Sequence, residues 1–279
     1  MENRTYTILK ISFLSIVTLV FIGIFIFLLT NGIHYGWKWN FKKEKKIIYE
    51  KTYSNSELEQ IFIDVKAADI TVKSSQDDEI HVTIYGEKQE QASSVLENHQ
   101  LHITKEEESY FCFGFCPDNS NEIMVYLPKD THTTLQLKTH SGNVWIGEFA
   151  YISVALETDS GDIEIDTVKK ADLRTQSGDI RGKSMESVIA QTDSGDIDIT
   201  HVTKDVDLST SSGDIDMKKF EIFKNSHIQS NSGDVFISDI TDCYLYVKTK
   251  NGDIQIKENN RFSELELQIE TNSGDITVR

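Results

Sequence analysis

The sequence has little proline, little cysteine and, over most of its length, little positive charge. Its 279 residues include two prolines and three cysteines, and 38% of them are hydrophobic. So few prolines and so much apolar material exclude a disordered chain and predict a packed core. Residues 51–279 carry 21 Lys/Arg against 42 Asp/Glu. This excess of negative charge argues against a nucleic-acid partner, because phosphate groups would be repelled.

Motifs of common enzyme classes are also missing. The chain contains no G-x-S-x-G, no H-E-x-x-H, no G-x-x-x-x-G-K and no G-x-G-x-x-G, so these signatures of hydrolases, zinc proteases and nucleotide binders give no support to such activities. The sequence therefore predicts a non-enzymatic protein without a cofactor or a metal site.

One stretch lacks charge altogether. Residues 11–29 read ISFLSIVTLVFIGIFIFLL, which is long enough to span a bilayer. No small-x-small cleavage site follows, and Tyr35, Trp37 and Trp39 are placed as an interfacial aromatic belt, so an uncleaved anchor is favoured over a signal peptide. We predict a short tail at 1–10, a transmembrane helix at 11–30 and a basic juxtamembrane linker at 31–50.

The charges around this segment give conflicting signals on orientation. Five lysines follow it, whereas Arg4 and Lys10 precede it. A count of positive charge alone would keep the main domain inside, but large folded domains are exported whatever their flanking charge. Attraction to anionic lipid headgroups is a simpler role for the lysines. We expect a single-pass protein of the cell membrane with its main domain extracellular.

A tetrapeptide close to Ser-Gly-Asp-Ile occurs eight times, at intervals of 17 to 22 residues. The full unit is apolar-x-Thr-x-Ser-Gly-Asp-Ile-x-Ile, and its period of two on both sides of the glycine predicts two strands joined at a corner. The glycine would supply a positive φ or a tight bend. Near-constant spacing predicts an all-β fold, a β-solenoid over 136–279, because stacked coils repeat one environment. The tetrapeptides begin at Ser141, Ser160, Ser177, Ser194, Ser212, Ser232, Asn251 and Ser273.

Residues 51–135 carry a weaker form of the same pattern and are predicted to form a degenerate β cap. Alternating segments occur at 61–86, 101–104 and 122–128, and Ala68-Asp69-Ile70 reads as a degenerate copy of the corner. The sequence ends inside its last repeat, at SGDITVR. An uncapped coil there would expose unpaired strand groups, so either Arg279 and the terminal carboxylate blunt this edge, or another chain stacks on it by end-to-end or edge-strand self-association.

The corner aspartates would form a column at the coil spacing. Their like charges could bind Ca²⁺ or another cationic ligand, or each Asp could close its own turn and point to water. The second interpretation is favoured, since the same residue recurs in nearly every coil, whereas a catalytic pair would break the repeat. The column comprises Asp162, Asp179, Asp196, Asp214, Asp234, Asp253 and Asp275.

The segment YFCFGFCPDN at 110–119 departs from the repeat. Phe111, Phe113 and Phe115 are either a partly buried loop or a partner-binding tip. Cys112 and Cys116 could close a small disulfide in an oxidising compartment, or begin a metal site, although no second pair at metal spacing follows. The tip is the best local candidate for a binding surface.

The N-terminal span, the IDVKAADITV opening, the VYLP strand and the serial T-x-S-G-D-I corners together resemble the LiaG-like "putative adhesin" proteins of Gram-positive bacteria. The resemblance implies a β-solenoid ectodomain facing the envelope and an association with envelope stress. We therefore expect a non-enzymatic, membrane-anchored scaffold for protein or cell-wall partners. The alternative is a carbohydrate-active β-helix enzyme on wall polymer, which would need clustered, non-repeating carboxylates.

Overall fold

The computed structural model describes residues 18, 20–22, 46–55, 58–86, 91–106, 121–241 and 243–279. The chain divides into two compact units, Met1–Lys42 and Lys43–Arg279. In the first unit, the described residues 18 and 20–22 are helical and exposed. Among the described residues, no helix has the length and apolar character needed to cross a bilayer. The rest of the predicted span, and the predicted tail at 1–10, lie outside the described residues.

The second unit is built from strands, as the period of two predicts. Twenty strands occur in its described part. They are β1 (Lys46–Ser54), β2 (Gln60–Val65), β3 (Asp69–Ser74), β4 (Glu79–Gly86), β5 (Gln91–Glu97), β6 (Gln100–Glu106), β7 (Glu122–Leu127), β8 (Thr134–Ser141), β9 (Val144–Glu148), β10 (Ser153–Ser160), β11 (Ile163–Ser177), β12 (Ile180–Ser194), β13 (Ile197–Ser212), β14 (Ile215–Phe220), β15 (Ser226–Ser232), β16 (Val235–Ile237), β17 (Tyr244–Asn251), β18 (Ile254–Ile256), β19 (Glu266–Ser273) and β20 (Ile276–Val278).

The strands form two parallel columns in a stack of coils. In each coil but β6–β7, whose connection lies outside the described residues, a first-column strand runs into a corner and a second-column strand leaves it. Strands β11, β12 and β13 are long because each runs from the second column of one coil into the first column of the next. The first column has the order β6, β2, β8, β10, β11, β12, β13, β15, β19, β17. The second has the order β7, β3, β9, β11, β12, β13, β14, β16, β20, β18.

The predicted β-solenoid is confirmed, and in the described residues it has ten coils where eight were expected. The two additional coils, β2–β3 and β6–β7, come from the region predicted to be a cap. The degenerate corner at Ala68-Asp69-Ile70 is genuine, since the Asn143 N–H donates to Asp69 Oδ1 at 2.9 Å. Antiparallel strands cover this end of the stack, with β5 on β6, β4 on β7 and β1 on β4.

The two coils at the other end stack in the reverse of their chain order. Strand β19 lies between β15 and β17, and β20 lies between β16 and β18. The expectation of an uncapped coil at the C-terminus is therefore wrong, because β19–β20 is paired on both sides. The open end is the earlier coil, β17–β18. The same inversion occurs at the opposite end, where β2 lies between β6 and β8.

Apolar side chains alternate into the space between the columns. In the first column Leu173, Ala190 and Leu208 stack in register, and each is 0% exposed. In the second column Ile163, Ile180 and Ile197 do the same. Full burial of a Leu or Ile side chain contributes about 1.5–3 kcal/mol to folding, so these rows are the main source of stability for the stack.

The coils approach most closely at the corner glycines. A Cβ on Gly195 would lie 2.0 Å from the carbonyl oxygen of Gly178, and the corner glycines repeat this contact at 1.9 to 2.1 Å. Of the two alternatives expected for these glycines, a positive φ occurs among the described glycines only at Gly274, where it is 155°. The repeat therefore requires glycine because the neighbouring backbone leaves no room for a side chain.

At most corners the threonine or serine that precedes the corner donates to a backbone carbonyl of the neighbouring coil, which is a glycine carbonyl except at Thr139, which donates to Ala68. The Thr192 hydroxyl donates to the Gly178 carbonyl at 3.1 Å, so it bridges two coils where the backbone ladder is interrupted. Thr158 differs, since its buried Oγ1 has no hydrogen-bond partner in the described part of the chain. The bridging residues, at 3.0 to 3.4 Å, are Thr139, Thr175, Thr192, Thr210, Ser230, Thr249 and Thr271.

Candidate functional site

The predicted column of corner aspartates exists, and it extends by two residues beyond the aspartates predicted to form it. In stack order we define the corner column as Asp69, Asn143, Asp162, Asp179, Asp196, Asp214, Asp234, Asp275 and Asp253. In each step the Oδ1 of one residue accepts the backbone N–H of the next, at 2.7 to 3.0 Å. These bonds join one coil to the next.

This geometry corrects the interpretation that each Asp closes its own turn. The carboxylate instead satisfies an N–H of the adjacent coil, which the corner leaves without a ladder partner. Arg181 lies beside the corner column, with its guanidinium 2.5 Å from Asp179 Oδ2 and 3.8 Å from Asp162 Oδ2. Each Asp of the predicted cation ladder except Asp253 therefore has one oxygen already engaged, and part of the charge of the ladder is balanced within the chain.

The predicted tip and disulfide cannot be placed in this geometry. Phe111, Phe113, Phe115, Cys112 and Cys116 all lie outside the described residues. The third cysteine, Cys243, is buried in the core of the second unit.

A groove on the second unit runs along the outside of the first column. Its volume is about 350 Å³. Ala155 forms the floor, because its small side chain lies in register between the longer Gln136 and Asp172. Phe62 forms one wall, and its ring stacks on His102 with centroids 4.7 Å apart and planes 6° from parallel. The groove is lined by Phe62, Ile63, Asp64, Gln136, Leu137, Lys138, Ala155, Leu156, Glu157, Asp172 and Arg174.

Charged pairs hold the rim of this groove. Lys138 Nζ lies 3.3 Å from Glu157 Oε2 in the next coil. Arg174 donates to Asp172 at 3.0 Å and to Gln191 Oε1 at 2.8 Å. The groove thus combines an aromatic face with hydrogen-bonding groups of both polarities, which suits a polar ligand with flat apolar surfaces. Sequence reasoning missed it, since its residues come from outward positions that vary between coils.

Two carboxylates of neighbouring coils meet on the outside of the second column. Asp198 and Asp216 are register partners. Burial raises the pKa of the Asp216 carboxyl, and the charge of Asp198 raises it further. Asp216 Oδ1 is buried without a hydrogen-bond partner in the described residues. Carboxyl groups in such a pair are what the enzyme alternative would require.

A small cluster at the start of β4 also escaped sequence reasoning. The ligand atoms of Asp77, Glu79 and His81 all lie within 4.8 Å of one another. The sequence pattern that could have identified this cluster is the D-x-E-x-H alternation, because alternate residues of a strand place their three side chains on one face. His81 Nε2 lies 2.9 Å from Asp77 Oδ1, and this hydrogen bond holds the pKa of the Asp77 carboxyl below its usual value. The three donors suit a divalent cation, but the site is exposed and incomplete.

Comparison with known proteins places the fold. The family model Toastrack DUF4097 matches residues 58–279. A crystal structure of a "putative adhesin" from Bacteroides fragilis is 14% identical, covers 84% of this chain and 97% of its own, and has a TM-score of 0.52. A similarity at this identity establishes the fold alone.

Two structures from Parabacteroides distasonis are more distant. One, described as a "putative lipid binding protein", is 14% identical, covers 83% of this chain and 96% of its own, and has a TM-score of 0.46. The other, a "putative adhesin", is 12% identical, covers 84% of this chain and 98% of its own, and has a TM-score of 0.45. No curated protein matches the sequence.

Proposed function

Because the chain belongs to the Toastrack DUF4097 family, we propose that it is a non-enzymatic, adhesin-like scaffold of the cell envelope. The observation that carries the proposal is that the recurring residues serve contacts between coils. The corner glycines, the corner column and the threonines before it are engaged in contacts between coils. Binding is therefore left to outward residues that differ from coil to coil on a regular, rigid frame.

The groove at Ala155 is the interaction surface that we assign to this role. Its volume of about 350 Å³ is at the lower end of the range for small-molecule sites. The Phe62–His102 stack offers a flat face for a sugar ring or an apolar side chain, and Gln136 and Arg174 offer hydrogen bonds beside it. These features support a cell-wall polymer or a surface protein as partner.

We further propose that residues 11–30 anchor the chain in the cell membrane and that the solenoid lies outside the cell. The support is the uncharged run at 11–29 and the aromatic residues that follow it. An extracellular position also suits the adhesin description of the Bacteroides fragilis structure. A role in envelope stress, implied by the resemblance to LiaG-like proteins, belongs to the same proposal.

Topology is tested with a single reporter cysteine. Phe262 is 97% exposed, so a Phe262→Cys variant in a background with Cys112, Cys116 and Cys243 replaced by serine carries one accessible thiol. Intact cells are treated with a membrane-impermeant maleimide. We expect labelling of intact cells, whereas labelling that occurs only after lysis would contradict the extracellular position. A cysteine in place of Asn3 is the matched control, with the opposite pattern expected.

The non-enzymatic assignment is tested at the carboxylate pair. The full-length protein is incubated with purified wall polymer, and release of reducing ends is measured. We expect none. Turnover that an Asp198→Asn, Asp216→Asn double variant abolishes, while its circular dichroism spectrum is unchanged, would establish the enzyme alternative instead.

A further inference from the structure

The coil β17–β18 leaves one face of the solenoid core uncovered. Ile254 is 44% exposed, whereas its register partner Ile276 in the adjacent coil is 0% exposed. Val247 and Ile256 are only partly buried. No other described strand pairs with the outer edges of β17 and β18. Such an edge is a template for strand addition.

The corner of this coil also presents groups that are satisfied in the coils below it. In the preceding coil, Asp275 Oδ1 accepts the N–H of Asp253, and the Gly274 carbonyl accepts the hydroxyl of Thr249. At the open end, Asp253 Oδ1 and the Gly252 carbonyl have no such donor among the described residues. An incoming strand with Thr and Asp at the repeat positions would supply both donors.

The linker from β18 to β19 covers only the start of this edge. Asn259 accepts the Leu245 N–H and donates to the Leu245 carbonyl, both at 3.0 Å, so its amide takes the place of a neighbouring strand at one residue. Beyond that residue no described strand pairs with the edge from 247 to 256. A docking strand would therefore begin opposite Val247.

The stack accepts coils without regard to chain order. Strands β19 and β20 follow β17 and β18 in sequence, yet they lie beneath them in the stack. The place of a coil in the stack is therefore not set by its place in the sequence, and a strand carried by another chain meets the same corner chemistry as one carried by this chain.

Charge defines the partner. Residues 244–262 carry four Lys/Arg against two Asp/Glu, although residues 51–279 as a whole carry 21 against 42. Lys248 and Lys250 are exposed on β17 itself, and Lys248 has a nearby acid, Glu270, at 3.9 Å. Two open ends paired symmetrically would bring these lysines together, which disfavours a second copy. The opposite end of a second copy is covered by β4 and β5.

We propose that the outer edge of β17–β18 is a docking site for an acidic strand of a partner protein, added in parallel, with a Thr-x-Ser-Gly-Asp-Ile corner. The partner's glycine would stand over the Gly252 carbonyl, where a Cβ does not fit, as at every corner below. This site goes beyond the proposed function, because it is present on whichever side of the membrane the solenoid lies.

The test uses a labelled peptide and the full-length protein in mild detergent. The probe is a fluorescein-labelled peptide with the sequence of residues 189–200, IAQTDSGDIDIT, which carries three aspartates. Its control carries valine in place of the glycine. Binding is measured by fluorescence anisotropy. We expect a dissociation constant of roughly 10–100 μM for the probe and at least tenfold weaker binding of the control.

Protein variants locate the binding surface. Lys248→Glu with Lys250→Glu should weaken probe binding about tenfold, since two attractive charges become repulsive. Lys169→Glu with Lys170→Glu, an exposed pair on a coil in the middle of the stack, is the matched control and should have no effect. Equal binding of the two peptides, or no saturable binding, would overturn the proposal. Self-association that the probe fails to inhibit would also overturn it, in favour of a second copy.

Discussion

The backbone N–H of Asp196 donates to Oδ1 of Asp179 at 3.0 Å, across the gap between two coils. Asp196 then accepts the N–H of Asp214 at 2.8 Å. Each corner carboxylate is therefore a link in a chain of hydrogen bonds that runs through the stack. Its recurrence is explained by backbone satisfaction, without a ligand.

Substitution of Asp196 tests this link. Asp196→Ala removes the acceptor for the Asp214 N–H and should destabilise the fold by about 1 kcal/mol. Asp196→Asn keeps an acceptor and should be close to the parent protein, because Asn143 already occupies this position and accepts the Asp162 N–H at 2.9 Å. Urea unfolding followed by circular dichroism measures both. Equal loss in the two variants would contradict the linking role.

A methyl group at a corner glycine should be more harmful. Gly195→Ala places a Cβ 2.0 Å from the Gly178 carbonyl oxygen, and since backbone must move to relieve the contact, we expect a loss of about 2–3 kcal/mol. Gly147→Ala is the control, because its Cβ meets the Trp145 ring at 3.1 Å, and a side chain can shift. The thermal unfolding midpoints of the two variants provide the measurement. A similar drop in both midpoints would show that the close approach of neighbouring coils is not the reason for glycine at the corner.

Two threonines give a matched test of the hydroxyl bridge. Thr192→Val removes the donor to the Gly178 carbonyl and should cost about 1–2 kcal/mol. Thr158→Val should be neutral or stabilising, since the buried Thr158 hydroxyl has no hydrogen-bond partner in the described residues. Both changes conserve shape. Their difference in unfolding midpoint isolates the bridge, and identical effects would show that the hydroxyl contributes nothing.

The Asp198–Asp216 pair predicts a pH effect on stability. The folded state raises the pKa of Asp216 by burial and by the charge of Asp198, so the ionised form is disfavoured in the fold. That penalty is fully present above the folded pKa, shrinks as the pH falls below it, and is absent below the lower pKa of the unfolded state. Asp216→Asn should therefore stabilise the protein at neutral pH, by about 0.5 kcal/mol after solvent screening.

The advantage of Asp216→Asn over the parent should shrink as the pH is lowered. Melting curves across a pH series provide the measurement, with Asp193→Asn, at an exposed position, as the control. A stabilisation that stays constant with pH would contradict the electrostatic cause.

Much of the fold could be predicted from the repeat. Period two around each glycine predicted the strands, and the apolar positions identified inward residues such as Leu173 and Ile180, which are fully buried. The role of Asp196 was predicted incorrectly, because a local pattern does not distinguish a bond to its own turn from one to the next coil.

The order of the coils could not be predicted. Both β17 and β19 end in a corner of the same type, with Thr249 and Thr271 donating to glycine carbonyls in the same way. The motif thus specifies that coils pair but not which coils. The groove at Ala155 was hidden for a related reason, since it depends on residues from four coils that no single repeat brings together.

The inverted order at the end of the stack has a consequence for biosynthesis. A ribosome releases β17–β18 before β19–β20, while the outer edges of β15 and β16 are still unpaired. We expect the nascent β17–β18 coil to dock there first, because its corner fits. If it does, that coil must leave those edges before β19–β20 pairs with β15 and β16, so assembly of this end of the stack includes an exchange of coils.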